Sequence, residues 1–192
     1  HPSWDLAFLP MYTVEGSAYV REMEACVNFA KRNRALMMLR VQEAVEELVD
    51  GSFSEDALDI AHNFARLEHH FGADVWVHRK GATPARAGAL GIIPGSQGTA
   101  SYIVKGLGNP ESFESCSHGA GRCKGRKAAT RELDFAAEVA KLDAAGVIHS
   151  IRTVADLDEA PGAYKDIDEV MANQTDLVEI VERLTPLAVV KG

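Results

Sequence analysis

Ten of the chain's sixteen glycines fall between Gly81 and Gly125, and this clustering constrains the fold more than any other feature. Glycine weakens helix and strand interiors. It also lets a backbone turn through positive φ and approach a ligand closely. The middle of the chain is therefore expected to be loop-dominated, with short strands between the loops at 75–77, 90–93 and 102–104. The flanks read differently. Apolar residues at three- and four-residue steps (Tyr19, Met23, Val27, Ala30, Met37, Val41, Val45, Leu48) predict a helix over 17–49, with Ser17 as N-cap, Gly51 as stop and the stripe as scaffold core. Residues 1–15 read as an extended entry, because Pro2 and Pro10 block helix. A helical or irregular stretch is expected over 55–70, a helix over 127–145 closed by Gly146, a strand over 147–151, helices over 166–172 and 176–184, and a final strand over 187–190. Together these predict a mixed α/β (α+β) fold with its chemistry in the glycine-rich middle.

The chain has 192 residues, of which 46% are hydrophobic and 25% charged, enough to bury a real core and too apolar for a disordered chain. It suits one compact domain or a large lobe of a bigger enzyme. No apolar run approaches the roughly 20 residues that span a bilayer, and no charged-then-apolar leader is present. The first residue is His1, so a fragment or processed chain is expected. Cys26, Cys116 and Cys123 are odd in number and unevenly spaced, which suits a reducing cytoplasm better than a disulfide framework. The net charge is −8, but residues 77–127 carry eight Lys or Arg against two acids, Glu111 and Glu114. A basic tract in an acidic protein is an electrostatic address for an anion such as a nucleotide or a phosphate backbone.

Three segments in or near that tract can carry chemistry. In Ser117-His118-Gly119-Ala120-Gly121-Arg122 the glycines leave the imidazole open, the following amides can form an anion-binding nest, and Arg122, Lys124 and Arg126 favour phosphate. A histidine so placed can attack phosphorus or act as a general acid. The loop Pro94-Gly95-Ser96-Gln97-Gly98-Thr99-Ala100-Ser101 offers amides and hydroxyls to a nucleotide but lacks the Gly-Lys-Ser/Thr ending of a phosphate-binding P-loop. His78-Arg79-Lys80-Gly81 follows a strand and suits either phosphate contact or a solvated edge. His62-Asn63 and Glu68-His69-His70 match no common zinc spacing.

These strings occur in an order that resembles the RtcB family of RNA ligases. The matching residues are Leu6-Ala7-Phe8-Leu9-Pro10; Asn28-Phe29-Ala30 with Asn33-Arg34; His62-Asn63 with Ala65; and Val77-His78-Arg79-Lys80-Gly81-Ala82-Thr83. They continue with Ile93-Pro94-Gly95-Ser96 and Gly98-Thr99-Ala100-Ser101-Tyr102, the His118 loop, Glu159-Ala160-Pro161-Gly162-Ala163-Tyr164-Lys165, and Val190-Lys191-Gly192.

The resemblance implies an RtcB-like fold, with residues 1–192 as the C-terminal part of a single catalytic domain. It implies the joining of RNA ends bearing a 3′-phosphate or 2′,3′-cyclic phosphate to a 5′-hydroxyl, with GTP and Mn²⁺. On that reading His118 is the nucleophile that takes GMP covalently, and His62 is a manganese ligand. Asn63, Pro94, Gly95, Ser96, Gln97, Ser101, His118, Gly119, Ala120, Gly121 and Lys191 form the guanylate site. Arg122 and Arg126 match positions that hold RNA phosphates, and Lys80 is assigned the same task. RNA ends are the expected substrate, an archease-like activator a conceivable partner, and a monomer the expected state of the complete protein.

Two departures stand out. Gln97 replaces the family's usual Met, and Gly125 stands where Ser is usual before Arg126. The family chain is about twice as long, and its N-terminal half carries the remaining metal ligands. A ligase completed by that half is therefore weighed against a non-catalytic guanylate- or RNA-binding remnant, and against an unrelated α/β protein with a phosphate-binding loop.

Overall fold

The computed structural model describes residues 7–53 and 57–190. Lys191 and Gly192 lie outside the described residues, as do residues 1–6 of the expected 1–15 entry.

Helix α1 runs Val14–Glu46, and its start is set by Thr13, whose hydroxyl accepts from the Gly16 amide at 3.1 Å. That is earlier than the Ser17 start expected from the apolar stripe. The stripe itself is not core. Met23, Val27 and Ala30 are half-buried, while Tyr19, Met37, Val41, Val45 and Leu48 are exposed, and Gly16 is the helix's buried residue. Periodicity tells which face of a helix is apolar, not whether its partner is in the same chain. Within the described residues α1 rests on one hairpin, where the Ala65 amide meets Met23 Sδ at 3.1 Å.

That hairpin replaces the expected helical stretch. Strands β1 (Asn63–His70) and β2 (Ala73–Lys80) pair antiparallel in full register, from Asn63↔Lys80 to His70↔Ala73. Phe71 and Gly72 connect them with φ of 52° and 78°, the two left-handed residues of a tight hairpin whose twist matches its strands. His69 and His70 are thus strand residues. The sequence hid this because the strand buries charge: Glu68 and His70 face inward.

Gly81, at φ 75°, turns the chain into β3 (Ala82–Pro84), which pairs antiparallel with β6 (Ser115–Ser117). A third sheet has the order β4 (Leu90–Ile93), β5 (Ser101–Gly106), β7 (Val178–Leu184), all antiparallel. The first two are close to expectation. β7 was expected as a helix. Val178, Ile180 and Val181 favour a pleated surface, and β5 offers a hydrogen-bonding edge that no local pattern reveals. The expected single helix over 127–145 is two, α2 (Arg126–Glu132) and α3 (Phe135–Ala144). Leu133 is extended, and Asp134 caps α3 by accepting from the Ala137 amide at 2.7 Å. The strands expected at 147–151 and 187–190 reduce to one bridge, Ile148↔Ala188. Helix α4 (Ile167–Ala172) matches the helix expected over 166–172, with Asp166 as its cap. One core cluster joins Ile93, Tyr102, Val104 and Cys116 to Ile167, Met171 and Val178; a second gathers Leu142, Val147, Ile151 and Leu157. Among the described residues no helix is long and apolar enough to cross a membrane.

Candidate functional site: paired histidines beside a loop-lined cavity

Strand register brings distant residues together. Asn63↔Lys80 places His62 beside the end of β2, and the Gly81 turn carries the chain to Ala82↔Ser117, so His118 arrives at the same place. The rings of His62 and His118 stack with centroids 5.5 Å apart and planes 23° from parallel. His118 Nδ1 is buried and, among the described residues, has no hydrogen-bond partner. A buried ring nitrogen left unpaired is costly, so this atom is available to a water, an ion or a ligand. The pKa of His62 lies below the usual histidine value. Loss of water on its packed side is the main cause, followed by the charges of His118, Arg34 and Lys80. Its imidazole is therefore neutral near pH 7, the form that ligates metals. Arg34 is itself held by Asp59 in two contacts, at 2.5 and 3.1 Å.

The backbone around His118 is fastened from several sides. Gln174 is buried, and its Oε1 accepts from the Ser117 amide at 3.0 Å. Its place in the chain gave no sign of this role. The amide of Ala120 donates to Pro94 O at 2.9 Å and that of Gly119 to Ser117 Oγ at 3.4 Å. Two amides of the expected anion nest are thus engaged within the protein: that of Ala120 docks the His118 loop onto the 94–101 loop, and that of Gly119 closes the His118 loop on itself.

Beside this junction lies a cavity of about 290 Å³ lined by Pro94, Gly95, Ser96, Gln97, Ser101, Glu159, Tyr164, Val189 and Val190. It unites five of the sequence-derived cofactor residues. It adds Glu159 and Tyr164, whose motif was visible in the sequence although their place in a cavity wall was not. Val190, which precedes Lys191, also lines it. Tyr164 donates to Glu159, and burial together with that contact pushes its phenol pKa up.

The basic residues are less free than their count suggests. Arg79 is 1% exposed and bonds Glu68 at 2.7 and 2.9 Å, so it is a structural ion pair and not a phosphate contact. Arg122 donates to Lys124 O at 2.9 Å, to Tyr164 Oη at 3.2 Å and to Asp158 O, and pairs with Glu159 at 3.2 Å. Arg126 is largely exposed and lies 3.2 Å from Glu159. Six of the eight cations in the 77–127 tract pair with carboxylates. The local charge excess is therefore largely neutralised by acids from elsewhere in the chain. Lys80 is exposed at the end of β2.

Among the described residues no group of three or more His, Cys, Asp or Glu comes together as a metal site. His62 and His118 fit as part of a site completed from outside them. Calorimetry of this chain with MnCl₂ is accordingly expected to show no tight stoichiometric binding, since affinity depends on ligand number and geometry. A defined submicromolar site would show that this chain supplies further ligands of its own.

Fold and site define a mixed α/β protein with a histidine-centred site on glycine-rich loops. The family model for the tRNA-splicing ligase RtcB matches residues 1–192. The RNA-splicing ligase RtcB of Escherichia coli K12 is 40% identical over 197 residues, covering all of this chain and 48% of that protein. The RNA-splicing ligase RtcB of Mycobacterium tuberculosis H37Rv is 38% identical over 214 residues, covering 49% of that protein. The tRNA-splicing ligase RtcB of Thermococcus kodakarensis is 38% identical over 219 residues, covering 45% of that protein. The chain belongs to the RtcB family, and it spans about half the length of the curated relatives it matches.

Proposed function

We propose that the protein carrying this chain is an RNA ligase that joins 3′-phosphate or 2′,3′-cyclic phosphate ends to 5′-hydroxyl ends through a guanylylated His118. The observation that carries the reading is the buried Nδ1 of His118, without a partner among the described residues, on a ring stacked against a neutral His62 and docked beside the 94–101 loop. The names of the relatives, RNA-splicing and tRNA-splicing ligases, agree with it.

One imidazole nitrogen of His118 attacks the α-phosphorus of GTP, a P–N bond forms, and pyrophosphate leaves. The RNA 3′-phosphate then attacks the same phosphorus, the P–N bond breaks, and His118 regains a free nitrogen. The 5′-hydroxyl finally attacks the activated 3′-phosphate, its proton passes to a base, and GMP leaves. A cyclic phosphate must first be opened by water. Manganese, when bound, neutralises phosphate charge, and His62 would be one of its ligands. Pro94, Gly95, Ser96, Gln97, Ser101 and Tyr164 wall the nucleotide. Asn63, Gly119, Ala120, Gly121 and Lys191 complete the proposed guanylate site, with Lys191 joining from outside the described residues. Lys80 and Arg126 are proposed to meet RNA phosphates. Arg122, with its donors turned inward, serves the wall first. A reducing cytoplasm is the proposed location, in keeping with three unevenly spaced cysteines.

We read residues 1–192 as the C-terminal part of one catalytic domain. The test is to incubate the full-length protein with RNA carrying a 2′,3′-cyclic phosphate and a 5′-hydroxyl, omitting GTP or MnCl₂ in turn. Joining that requires both is expected. Guanylate binding without joining would favour the non-catalytic remnant, and neither would remove the reading.

A further inference from the structure

We infer that Glu138, on the buried face of α3 behind the cavity wall, is a positioning residue for nucleotide recognition. This rests on the proposal that the cavity beside His118 takes GTP. The buried residues of α3 are Glu138 and Leu142, one turn apart on one face. Each sits under a different wall of the cavity. A Cβ added at Gly98 would lie 2.8 Å from Leu142 Cδ2 and 3.1 Å from Pro161 Cγ, so the 94–101 loop rests directly on α3 and on the 161–163 turn. Glu138 Oε2 accepts from the Gly162 amide at 2.8 Å. A Cβ at Gly162 would lie 2.7 Å from Glu138 Oε1 and 2.9 Å from Leu133 Cδ2. A side chain at position 162 would therefore fit only if Glu138 or Leu133 moved.

The other amides of the turn, those of Ala163 and Tyr164, donate to the carbonyls of Ala160 and Pro161 at 2.9 and 3.1 Å. Gly162 is therefore the amide by which α3 holds it. On its far side the segment is tied to the His118 loop. Ala163 O accepts from the Cys123 and Lys124 amides at 2.9 and 3.2 Å, and the Lys165 amide donates to Gly121 O at 2.9 Å. Glu159 and Tyr164, which flank the turn, face the cavity opposite Pro94, Gly95, Ser96 and Gln97. The separation of the two walls is thus set by a carboxylate that never meets the nucleotide. The charge of Glu138 is balanced by Lys141 Nζ at 2.5 Å, and its side chain is 3% exposed. Filling that space alone would be done better by an aliphatic side chain, because a buried carboxylate costs desolvation. The geometry gives the carboxylate a directional task.

The test is the GTP dependence of guanylylation in the full-length protein. Glu138→Ala is expected to raise KM for GTP about 10-fold with kcat within about 2-fold, the scale of one lost buried hydrogen bond. Glu138→Gln, which keeps an oxygen for the Gly162 amide, should stay within about 3-fold of wild type. In a Tyr164→Ala background, Glu138→Ala should add less than about 2-fold, because it acts through that wall. An unchanged KM in Glu138→Ala, or fully additive effects in the double variant, overturns the inference. If Glu138→Ala does not fold, Gly162→Ala probes the same contact from the other side. A comparable rise in KM supports the inference, and an unchanged KM overturns it. If Tyr164→Ala alone leaves KM unchanged, the nucleotide reading of the cavity fails and takes this inference with it. A defect in Tyr164→Ala without one in Glu138→Ala sinks only the role of Glu138.

Discussion

Replacing His118 by alanine is expected to abolish labelling of the full-length protein by GTP radiolabelled at its α-phosphate, a fall of at least about a thousand-fold, as losing a nucleophile implies. The adduct in the unmodified protein should be acid-labile and alkali-stable, as expected for phosphorus bonded to an imidazole nitrogen. His78→Ala is the informative control, because the sequence alone leaves His78 as a competitor beside Arg79 and Lys80. In the fold His78 is exposed on β2 and lines a different groove, with Phe8, Leu9, Tyr19 and Trp76. Label should persist in that variant. Three further histidines have separate engagements: His69 contacts Asp74 at 2.8 Å, His70 contacts Glu68 at 3.0 Å, and His149 contacts Asp143 at 3.2 Å. Label retained in His118→Ala would remove the proposed mechanism.

The second large effect concerns stability. Glu68 sits at the centre of a buried cluster. Arg79 meets it at 2.7 and 2.9 Å, Arg86 at 3.0 Å and His70 at 3.0 Å, while Arg79 also donates to Ser115 Oγ at 3.0 Å and Phe113 O at 2.9 Å. This network ties the hairpin to the segment leading into β6 and hence to His118. Arg79→Met keeps the bulk and leaves a buried carboxylate short of its main partner. A loss of about 3–5 kcal/mol is the general scale for breaking such a pair. The lower end is expected here, because Arg86 and His70 remain. At about 2–4 °C per kcal/mol for a chain of this size, thermal unfolding at pH 7 should begin roughly 6–12 °C lower.

The same cluster gives a pH dependence. The hydrogen bonds from Arg79 lead the causes that hold the Glu68 pKa down at about 2, against 4.5 for an ordinary glutamate. A depressed carboxylate stabilises the fold fully above its unfolded value, and that contribution is lost as pH falls through the folded one. Stability should therefore decline between about pH 5 and pH 2. In Arg79→Met this part of the profile should flatten, since the folded pKa moves back towards the unfolded one. Urea melts at pH 7 and pH 3 compare the two proteins. An equal acid-induced loss in both would show that Glu68 is not responsible.

Residue identity and spacing determined the local chemistry. The 94–101 loop with its flanking strands, the helix over 166–172 and the order of the family's strings were all legible, because each depends on neighbours in the chain. Tertiary structure alone decided the rest. Val178–Leu184 is compatible with helix or strand until β5 supplies an edge. Arg79 looks like a phosphate ligand until Glu68 on the facing strand buries it. The α1 stripe reads as core, yet half of it faces solvent in this chain. His62, Lys80 and His118 meet only because two strand registers and one turn at Gly81 bring them there. Side-chain pattern reports what a surface can bury or bind. Which surface it meets depends on pairings between segments far apart in the chain, and those exist only in the folded protein.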